Sequence, residues 1–308
     1  MIENVSKACK NAGIPADKKT IALTAGFVAG RLGIGEYSDP DQPRRHAHSL
    51  KTGVYDQFQK EYDGSLFKEK NVLVTGANRG IGLALCKELK AERANVYATC
   101  RKSSKELEAL NVAKVIEGID VTSEKATKDL ADALAGVTLD VVVNNAGYFM
   151  VEPETVDKLN FQEQMKMIDI CALGPLRISS ALYNAGRIKS PGGKIAMITS
   201  QGGSIEWRAV QNAGEAFDYG HHMSKAAANM MGKLLSIELK KKAKITVYNM
   251  HPGFNRTNMT AKYSQIWDVE GAVDASLGAK RICHEISKMD IDKAGRFVNC
   301  EDGLDIPW

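Results

Sequence analysis

Residues 70–101 constrain the fold more than any other part of this chain. They open with a short apolar run, 71–74, which is rich in β-branched residues and too short for a helix, as is typical of a strand buried on both faces. A glycine-rich turn, 75–82, leads into apolar residues at helical spacing, and a second short strand is predicted at 95–100. This order is that of the βαβ unit that binds a dinucleotide, because glycines let backbone N–H groups approach the pyrophosphate and the helix N-terminus supplies positive potential.

The glycine turn alone does not decide whether a ligand binds there. Its spacing, Gly-x-x-x-Gly-x-Gly at 76–82, differs from the commoner dinucleotide fingerprint, so a tight strand-to-helix turn without a ligand is the alternative. A second motif, Asn-Asn-Ala-Gly at 144–147, follows a later predicted strand. Together the two motifs resemble the short-chain dehydrogenase/reductase family, and residues 295–308 resemble its C-factor-like carbonyl-reductase branch.

From residue 68 onward, predicted strands and helices alternate regularly. This alternation indicates an α/β fold, a doubly wound parallel sheet of the Rossmann type with helices on both faces. The resemblance covers the same residues, 68–308, as one dinucleotide-binding domain. Beyond the first βαβ unit, the predicted strands lie at 115–121, 139–143, 194–200, 245–250 and 297–299, and the predicted helices at 123–134, 160–187 and 221–239.

Residues 1–67 are predicted to form an N-terminal extension outside this domain. Small residues at four-residue spacing favour a short helix within 21–34, and 39–46 has the composition of a turn and loop. Aromatic residues at helical intervals between 55 and 62 predict a short amphipathic helix that leads into the domain. Two roles remain open for the extension: a clamp on the domain's own surface, or an arm that docks on a partner.

Composition excludes several classes of protein. The net charge of +4 is too small to suggest nucleic-acid binding, and no apolar run reaches the roughly 18 residues that a membrane span needs. The six cysteines show neither C-x-x-C nor metal-ligand spacing, so free thiols and no metal site are expected. Free thiols predict an intracellular reducing compartment; the cytoplasm is the first expectation and an organelle interior stays open.

The end of the second strand predicts which dinucleotide binds. An acidic residue there selects NAD, whereas a basic residue accommodates the 2′-phosphate of NADP(H). This chain has Cys100-Arg101-Lys102 at that place, and Arg79 inside the glycine turn supplies a second guanidinium group. The sequence therefore predicts NADP(H), with two exposed basic residues that lack a ligand as the alternative.

The resemblance implies a set of cofactor-binding residues. Asp120 and Val121 would flank the adenine. Asn144, Ala146 and Gly147 would line the ribose side, and the segment that begins at Pro252 would close over the nicotinamide. The complete implied set is Gly76, Asn78, Arg79, Gly80, Ile81, Gly82, Arg101, Asp120, Val121, Asn144, Ala146, Gly147, Lys225, Pro252, Gly253 and Thr257.

The resemblance also implies reduction of a carbonyl group by hydride transfer from the nicotinamide, with four catalytic positions. Ser200 matches the serine that holds the carbonyl oxygen, and Lys225 matches the lysine that binds the nicotinamide ribose and lowers the pKa of a tyrosine. At the position of that tyrosine, four residues before Lys225, stands His221. Cys171 stands where an asparagine would hold a relay water. The predicted catalytic tetrad is therefore atypical at two positions.

Three interpretations of this tetrad remain open. His221 could donate a proton as an imidazolium, although Lys225 would lower its pKa. Tyr219 could replace the missing tyrosine, but only if the helix started irregularly, because it lies about 240° around a regular helix from Lys225. Alternatively, the site could bind nucleotide with little or no turnover and serve as a scaffold or assembly subunit. Cys171 itself is typical of an inert small apolar residue.

The substrate and the oligomeric state are less constrained. A variable loop at 257–275, with Tyr263, Ile266 and Trp267, could line an apolar pocket for a small carbonyl compound, and these aromatic residues could equally pin the loop to the core. Additional predicted pocket walls are Tyr148, Phe149, Met150 and Trp207. Related enzymes often dimerise through the helices predicted at 160–187 and 221–239, so a homodimer or a larger assembly that involves the N-terminal arm is possible.

Overall fold

Parallel strands form the centre of the structure, a computed structural model that describes residues 37–55, 61–211 and 216–308. In chain order the strands are β1 Asn71–Thr75, β2 Asn95–Thr99, β3 Lys114–Ile116, β4 Val141–Asn144, β5 Lys194–Ile198, β6 Thr246–His251, β7 Asn255–Arg256, β8 Val273–Asp274 and β9 Phe297–Asn299. Seven of them form one sheet in the order β3-β2-β1-β4-β5-β6-β9, in which every neighbouring pair is parallel. The predicted doubly wound fold is therefore confirmed.

Helices cover both faces of this sheet. Within the described residues they are α1 Gln42–Thr52, α2 Gly80–Ala91, α3 Lys105–Ala109, α4 Glu124–Ala133, α5 Phe161–Ile168, α6 Gly174–Asn184, α7 Tyr219–Ala243 and α8 Ala275–Ser287. Side chains of a strand alternate between faces, so Val72 and Val74 pack against α2 and α8, whereas Leu73 packs against α4, α6 and α7. This two-sided burial explains the uninterrupted apolar runs of the strands.

The long helix predicted at 160–187 is divided. A π-helical turn, Asp169–Leu173, separates α5 from α6. At its end, the Gly174 N–H donates a hydrogen bond to the Asp169 carbonyl. Pro175 follows directly and has no N–H to donate, so the regular hydrogen-bond ladder cannot continue through it. The turn widens the helix at Cys171, one of the predicted catalytic positions.

The prediction of a turn and loop at 39–46 was wrong, because α1 begins at Gln42. Asp41 caps this helix by accepting a hydrogen bond from the Arg44 N–H, and Pro43 lies in its first turn. Aspartate before a helix and proline inside its first turn are helix-start signals that also occur in loops. The helices predicted within 21–34 and at 55–62 lie wholly or partly outside the described residues.

The described part of the extension, 37–55, packs on the domain itself. Ser38 donates from its backbone N–H to the Asp305 carbonyl at 3.0 Å, beside the edge strand β9. Arg45 of α1 forms an ion pair with Glu301 at 3.0 Å, and these side chains are only 4% and 0% exposed. These contacts favour the interpretation of this segment as a clamp. The domain boundary at residue 67 stays a prediction.

We expect Arg45→Met to lower the free energy of unfolding by roughly 3–5 kcal/mol, because Glu301 would stay buried without its ion-pair partner. The matched control is Arg44→Met, which removes the neighbouring ion pair between Arg44 and Asp39, where the arginine is exposed. Exposed pairs contribute up to about 1 kcal/mol. Urea unfolding of both variants measures the difference, and equal losses would contradict the buried pair's role.

The pH dependence of the unfolding free energy tests the same ion pair between Arg45 and Glu301. Burial raises the pKa of Glu301, but Arg45, His251 and Arg281 outweigh burial and lower it to about 2, below the ordinary 4.5. Stability that depends on the ionised carboxylate is therefore complete above pH 4.5 and is lost as the pH falls through about 2. The difference in unfolding free energy between wild type and Arg45→Met should shrink across this window. A difference that stays constant through it would show that Glu301 is not held ionised by Arg45.

Candidate functional site

The carboxyl ends of β1, β4, β5 and β6 meet at one edge of the sheet, where ligands bind in open parallel sheets. Hydrogen bonds join the loops that leave β1 and β4. The Thr75 hydroxyl accepts from the N–H groups of Asn145 and Ala146, both at 3.0 Å, and the Asn145 amide donates to the Thr75 carbonyl at 2.9 Å. Asn145 was not among the predicted residues. Its structural role explains why an asparagine follows β4 at this place.

The three glycines of the turn have different roles. A Cβ on Gly76 would lie 2.9 Å from the Ala146 Cα, and one on Gly82 would lie 2.6 Å from the Asn145 side-chain nitrogen, so these two glycines let the loops close on each other. Gly80 has a φ of 54° and would meet only the Thr257 side chain, at 3.7 Å. Gly80 therefore faces the space between the glycine turn and the loop after β6, where a ligand can approach the backbone.

The N-terminus of α2 opens on the same space. Its cap residue is Arg79, which has no side-chain acceptor and makes no capping hydrogen bond, so the first N–H groups of α2 are not capped by a side chain. Uncapped N–H groups at the positive end of a helix bind anions well. With the close approach at Gly80, this geometry fits the pyrophosphate of a dinucleotide.

Exposed basic residues lie beside this anion site. The Asn78 side chain donates to the Lys102 carbonyl at 3.0 Å and so ties the glycine turn to the loop after β2, which carries Arg101. Arg79 and Arg101 are both exposed. Asp120 accepts from the Thr122 N–H, and this bond, with a smaller contribution from Arg101, lowers the pKa of Asp120. Guanidinium groups pair readily with phosphate, and contact of these two residues with a phosphate of the cofactor stays a prediction.

Other predicted cofactor residues differ in what their side chains can reach. Asn144 is buried and donates to the Ser179 hydroxyl at 3.0 Å, so its side chain holds α6 rather than facing the open edge. Val121 is buried and would lie 2.7 Å from a Cβ on Gly174. Four predicted positions remain along this edge. They lie in α2, in the loop after β4 and in the segment after β6, and they are Ile81, Gly147, Pro252 and Gly253.

The turn after Ser200 lies directly on α7. Ser200 caps this turn, because its hydroxyl accepts from the Gly202 N–H at 3.0 Å. A Cβ on Gly203 would lie 2.6 Å from the Lys225 carbonyl carbon, and one on Gly202 would lie 3.3 Å from the His221 ring nitrogen Nε2. Two consecutive glycines therefore let the loop that carries Ser200 approach the helix face that carries His221 and Lys225.

The surroundings of His221 disfavour its charged form. Burial, followed by the positive charges of Lys225, His222, Lys262 and Arg208, lowers its pKa well below 6.5. The Phe149 ring stacks on it, with ring centres 4.2 Å apart. The buried Nδ1 has no hydrogen-bond partner within the described residues. At neutral pH this environment disfavours the imidazolium that the first interpretation of the tetrad requires.

The neighbouring His222 has a structural role. Its Nε2 accepts from Arg208 at 3.0 Å, so the other ring nitrogen, Nδ1, donates to the Gly202 carbonyl at 2.9 Å. Burial and Arg208 lower the pKa of His222 to about 4. This residue therefore fixes the loop between Ser200 and α7.

Tyr219 does not approach Lys225 through an irregular helix start. Asp218, with a left-handed φ of 52°, precedes α7, and the helix then runs regularly from Tyr219 to Ala243. Tyr219 therefore keeps its angular separation from Lys225, and 37% of it is exposed. The structure gives no support for Tyr219 as a substitute proton donor.

Cys171 lies below the site as a buried thiol. Its Sγ accepts from the Tyr148 N–H and donates to the Tyr148 carbonyl, both at 3.4 Å. It would lie 3.9 Å from a Cβ on Gly147. These contacts agree with an inert small residue that holds the loop after β4.

The loop at 257–275, which is predicted to line the substrate pocket and is called the substrate loop below, is held by a buried carboxylate that the sequence analysis did not identify. Asp218 accepts a hydrogen bond from the Tyr263 hydroxyl, and the Lys262 ammonium lies 3.6 Å from the same carboxylate. Lys262 also lies 3.7 Å from the centre of the Phe149 ring. Tyr263 therefore pins the loop, as the alternative interpretation proposed. The expectation that Trp207 lines the pocket was wrong, because it is fully buried against Phe297 and Ile306.

Within the described residues, neither a membrane-spanning helix nor a metal-binding cluster is found. There, no helix is long and apolar enough to cross a membrane. In the same residues, no group of three or more His, Cys, Asp or Glu side chains is placed to hold a metal ion.

We expect the His221 imidazole to stay neutral, with no titration between about pH 6 and pH 8, because burial and neighbouring cations lower its pKa. Histidine-selective NMR of the purified protein measures this directly, and His221→Gln assigns the signal. Lys225→Met should shift the pKa upward, since it removes one of those cations. A titration near 6.5, unchanged in Lys225→Met, would contradict this description of the site.

Comparisons with known proteins agree with this geometry. The model of the short chain dehydrogenase family matches residues 70–266. Among curated proteins, 1-hydroxy-2-glutathionyl-2-methyl-3-butene dehydrogenase of Rhodococcus sp. is 30% identical over 239 residues, which is 77% of this chain and 99% of that protein. C-signal of Myxococcus xanthus is 31% identical over 174 residues, 55% of this chain and 93% of that protein, which confirms the C-factor-like resemblance.

Solved structures show the same fold. A carbonyl reductase from Pseudomonas aeruginosa PAO1 is 25% identical with a TM-score of 0.62, and the match covers 78% of this chain and all of that one. The NADPH-bound carbonyl reductase from chicken fatty liver is 23% identical with a TM-score of 0.64, over 79% of this chain and 95% of that one.

Proposed function

The chain belongs to the short-chain dehydrogenase/reductase family of oxidoreductases, and on that premise we propose that it is an NADP(H)-dependent enzyme that reduces the carbonyl group of a small, predominantly apolar substrate. The observation that carries the proposal is the approach of the Ser200 turn to the α7 face of Lys225 and His221, on the sheet edge that carries the glycine turn. A candidate anion site and titratable side chains on the same edge support this reaction class.

The choice of NADP(H) is supported by charge. Arg79 and Arg101 are exposed beside the glycine turn, and the residue that ends β2 is followed by no carboxylate. A guanidinium group can pair with a phosphate through two parallel hydrogen bonds. Among the structural relatives, the reductase from chicken fatty liver was solved with NADPH bound.

Each side chain of the group has a separate task. When bound, the nicotinamide supplies a hydride to the carbonyl carbon. The Ser200 hydroxyl donates to the carbonyl oxygen, and Lys225 holds the ribose and keeps positive charge beside the oxygen as negative charge develops on it. Cys171 positions the loop after β4 through its two contacts with Tyr148 and takes no part in proton transfer.

His221 must complete the reduction by supplying a proton to the oxygen. Its pKa lies below 6.5, so most molecules carry a neutral imidazole at neutral pH. Above that pKa the imidazolium fraction falls about tenfold for each pH unit. We therefore infer slow reduction at neutral pH and faster reduction as the pH decreases, until the pKa of His221 is reached.

A second function has support from one observation. The Phe149 ring covers one face of the His221 imidazole, and the Lys262 ammonium lies against Phe149. A catalytic histidine that is uncharged and covered in this way suits a nucleotide-binding scaffold or assembly subunit with little turnover.

Reduction assays with His221 variants separate the two functions. NADPH consumption with aliphatic and aromatic aldehydes and ketones should be slow for wild type at pH 7 and increase toward acid pH. His221→Tyr should raise the neutral-pH rate by about 10²-fold or more, the usual contribution of a positioned general acid. His221→Ala should lose turnover and keep its NADPH affinity.

Two outcomes would overturn parts of this proposal. Equal rates for wild type and His221→Ala would exclude His221 as the proton donor. If His221→Tyr binds NADPH but reduces none of these compounds, the scaffold function is favoured.

The assembly and the compartment are also proposals. Exposed apolar residues on α7, Met230, Leu234 and Ile237, support a homodimer through this helix, and a monomer in analytical ultracentrifugation would contradict it. Docking of a partner through the N-terminal arm, residues 1–67, is a further proposal. Free thiols at the five described cysteines support an intracellular reducing compartment, either the cytoplasm or an organelle interior, and fractionation of cells tests this.

A further inference from the structure

We propose that α1 positions the nicotinamide end of the site, and that Arg45 and Gln201 are the positioning residues. The nicotinamide end comprises the Ser200 turn, the segment after β6 and the substrate loop. Helix α1 lies outside the region that matches the family model, 70–266. The proposal rests on the proposed function for the identity of the ligand. It assigns a role to part of the extension that the family resemblance leaves unexplained.

Arg45 is the centre of the contact between α1 and the domain. Its Nη2 donates to the Glu301 carboxylate at 3.0 Å and to the Gln201 side-chain oxygen at 2.7 Å. Its Nε lies 3.2 Å from the Tyr55 hydroxyl, so the guanidinium group is fixed from the extension side as well. A single buried side chain therefore bridges two loops of the domain that are far apart in sequence.

Gln201 transfers this contact to the Ser200 turn. The Gln201 oxygen accepts from Arg45, and its nitrogen donates to the Gln42 side-chain oxygen at 3.2 Å, so both ends of the amide bind α1. Gln201 directly follows Ser200 and begins the turn that packs on Lys225. The orientation of the Ser200 turn thus depends on α1 from one side and on α7 from the other.

Glu301 transfers the same contact to the segment after β6. Its carboxylate accepts from the Phe254 N–H at 3.3 Å, and a Cβ on Gly253 would lie 2.6 Å from the Glu301 side chain. The Pro252-Gly253-Phe254 segment therefore lies on a carboxylate that Arg45 holds. The family resemblance places this segment over the nicotinamide.

Helix α1 also contacts the end of the substrate loop. The Gln42 side chain donates to the Glu270 carbonyl at 3.1 Å, and the His46 ring lies so close to Gly271 that it leaves no room for a Cβ. Three loops around the nicotinamide end thus contact α1. Among the described contacts, the adenine end at Arg79 and Arg101 has no contact with α1. Loosening α1 should therefore affect one end of the dinucleotide only.

Binding of two nucleotides to the full chain tests this difference between the ends. NADPH occupies the whole site, whereas adenosine 2′,5′-bisphosphate occupies only the adenine end. Gln201→Leu removes both hydrogen bonds to α1 but leaves the ion pair between Arg45 and Glu301, so the fold is kept. We expect a Kd for NADPH that is about tenfold higher, as for the loss of one hydrogen bond to a charged group. The Kd for the bisphosphate should change less than about twofold.

Two further variants sharpen the test. Arg45→Lys keeps a cation for Glu301 but lacks the forked guanidinium, and it should show the same selective loss. Gln162→Leu makes the same chemical change at an exposed position of α5, outside these loops, and should leave both Kd values unchanged. Hydrogen–deuterium exchange of residues 200–204 should increase in the first two variants and stay constant in the third.

The possible results separate this proposal from the proposed function. If wild type binds neither nucleotide, the proposed function is overturned and the positioning role with it. If wild type binds NADPH and Gln201→Leu binds it equally well, only the positioning role is overturned. A variant that loses affinity for both nucleotides to the same extent would indicate general destabilisation and would also overturn it.

Discussion

The hydrogen bonds between Thr75 and the loop after β4 hold together the edge on which the site is built. Thr75 ends β1, and its hydroxyl and carbonyl receive three hydrogen bonds from Asn145 and Ala146. They bring the two loops so close that Gly76 and Gly82 cannot carry a side chain without a shift of the backbone. The close approach leaves Gly80 and the uncapped start of α2 facing open space. Anion binding at this edge therefore follows from how two loops pack.

The catalytic end of the site has a different electrostatic character. Burial lowers the pKa of His221, and the positive charges of Lys225, His222, Lys262 and Arg208 lower it further. The same positive charge that would stabilise a developing alkoxide therefore withholds the proton that the alkoxide needs. A tyrosine at this position would give a proton from a neutral group and would form an anion beside these cations. With His221 as the proposed proton donor this advantage is reversed, so we propose that His221 determines whether the site turns over or serves as a scaffold.

The parts of the fold predicted best from the sequence were those with simple periodicity. Apolar strands buried on both faces were identified to within one or two residues, except that the strand predicted at 115–121 is shorter, Lys114–Ile116. Helix α8 was not predicted, because Arg281, His284 and Glu285 are buried on it and interrupt the apolar pattern. The start of α1 was interpreted as a loop because Asp41 and Pro43 are common in both settings.

The residues of the candidate site also divide into those that the sequence predicted and those that only the structure brings together. The glycine turn could be recognised from its spacing, whereas Ser200 and Lys225 were predicted only because they match positions of the family that the sequence resembles. Asp218 and Lys262 could not be, because they are distant in sequence and meet only when the substrate loop folds over α7. Gln201 and Arg45 are also far apart in the chain and show no motif, so only the tertiary structure brings them together.

We propose that the open edge of the sheet binds NADP(H) through Arg79 and Arg101. Isothermal titration of wild type and Arg101→Ala with NADPH and NADH tests it most directly. Wild type should bind NADPH about 10- to 100-fold more tightly than NADH, which is the contribution expected of one charge-assisted hydrogen-bonded pair. Arg101→Ala should lose most of this preference. Equal affinity of wild type for both nucleotides, or binding of neither, would contradict it.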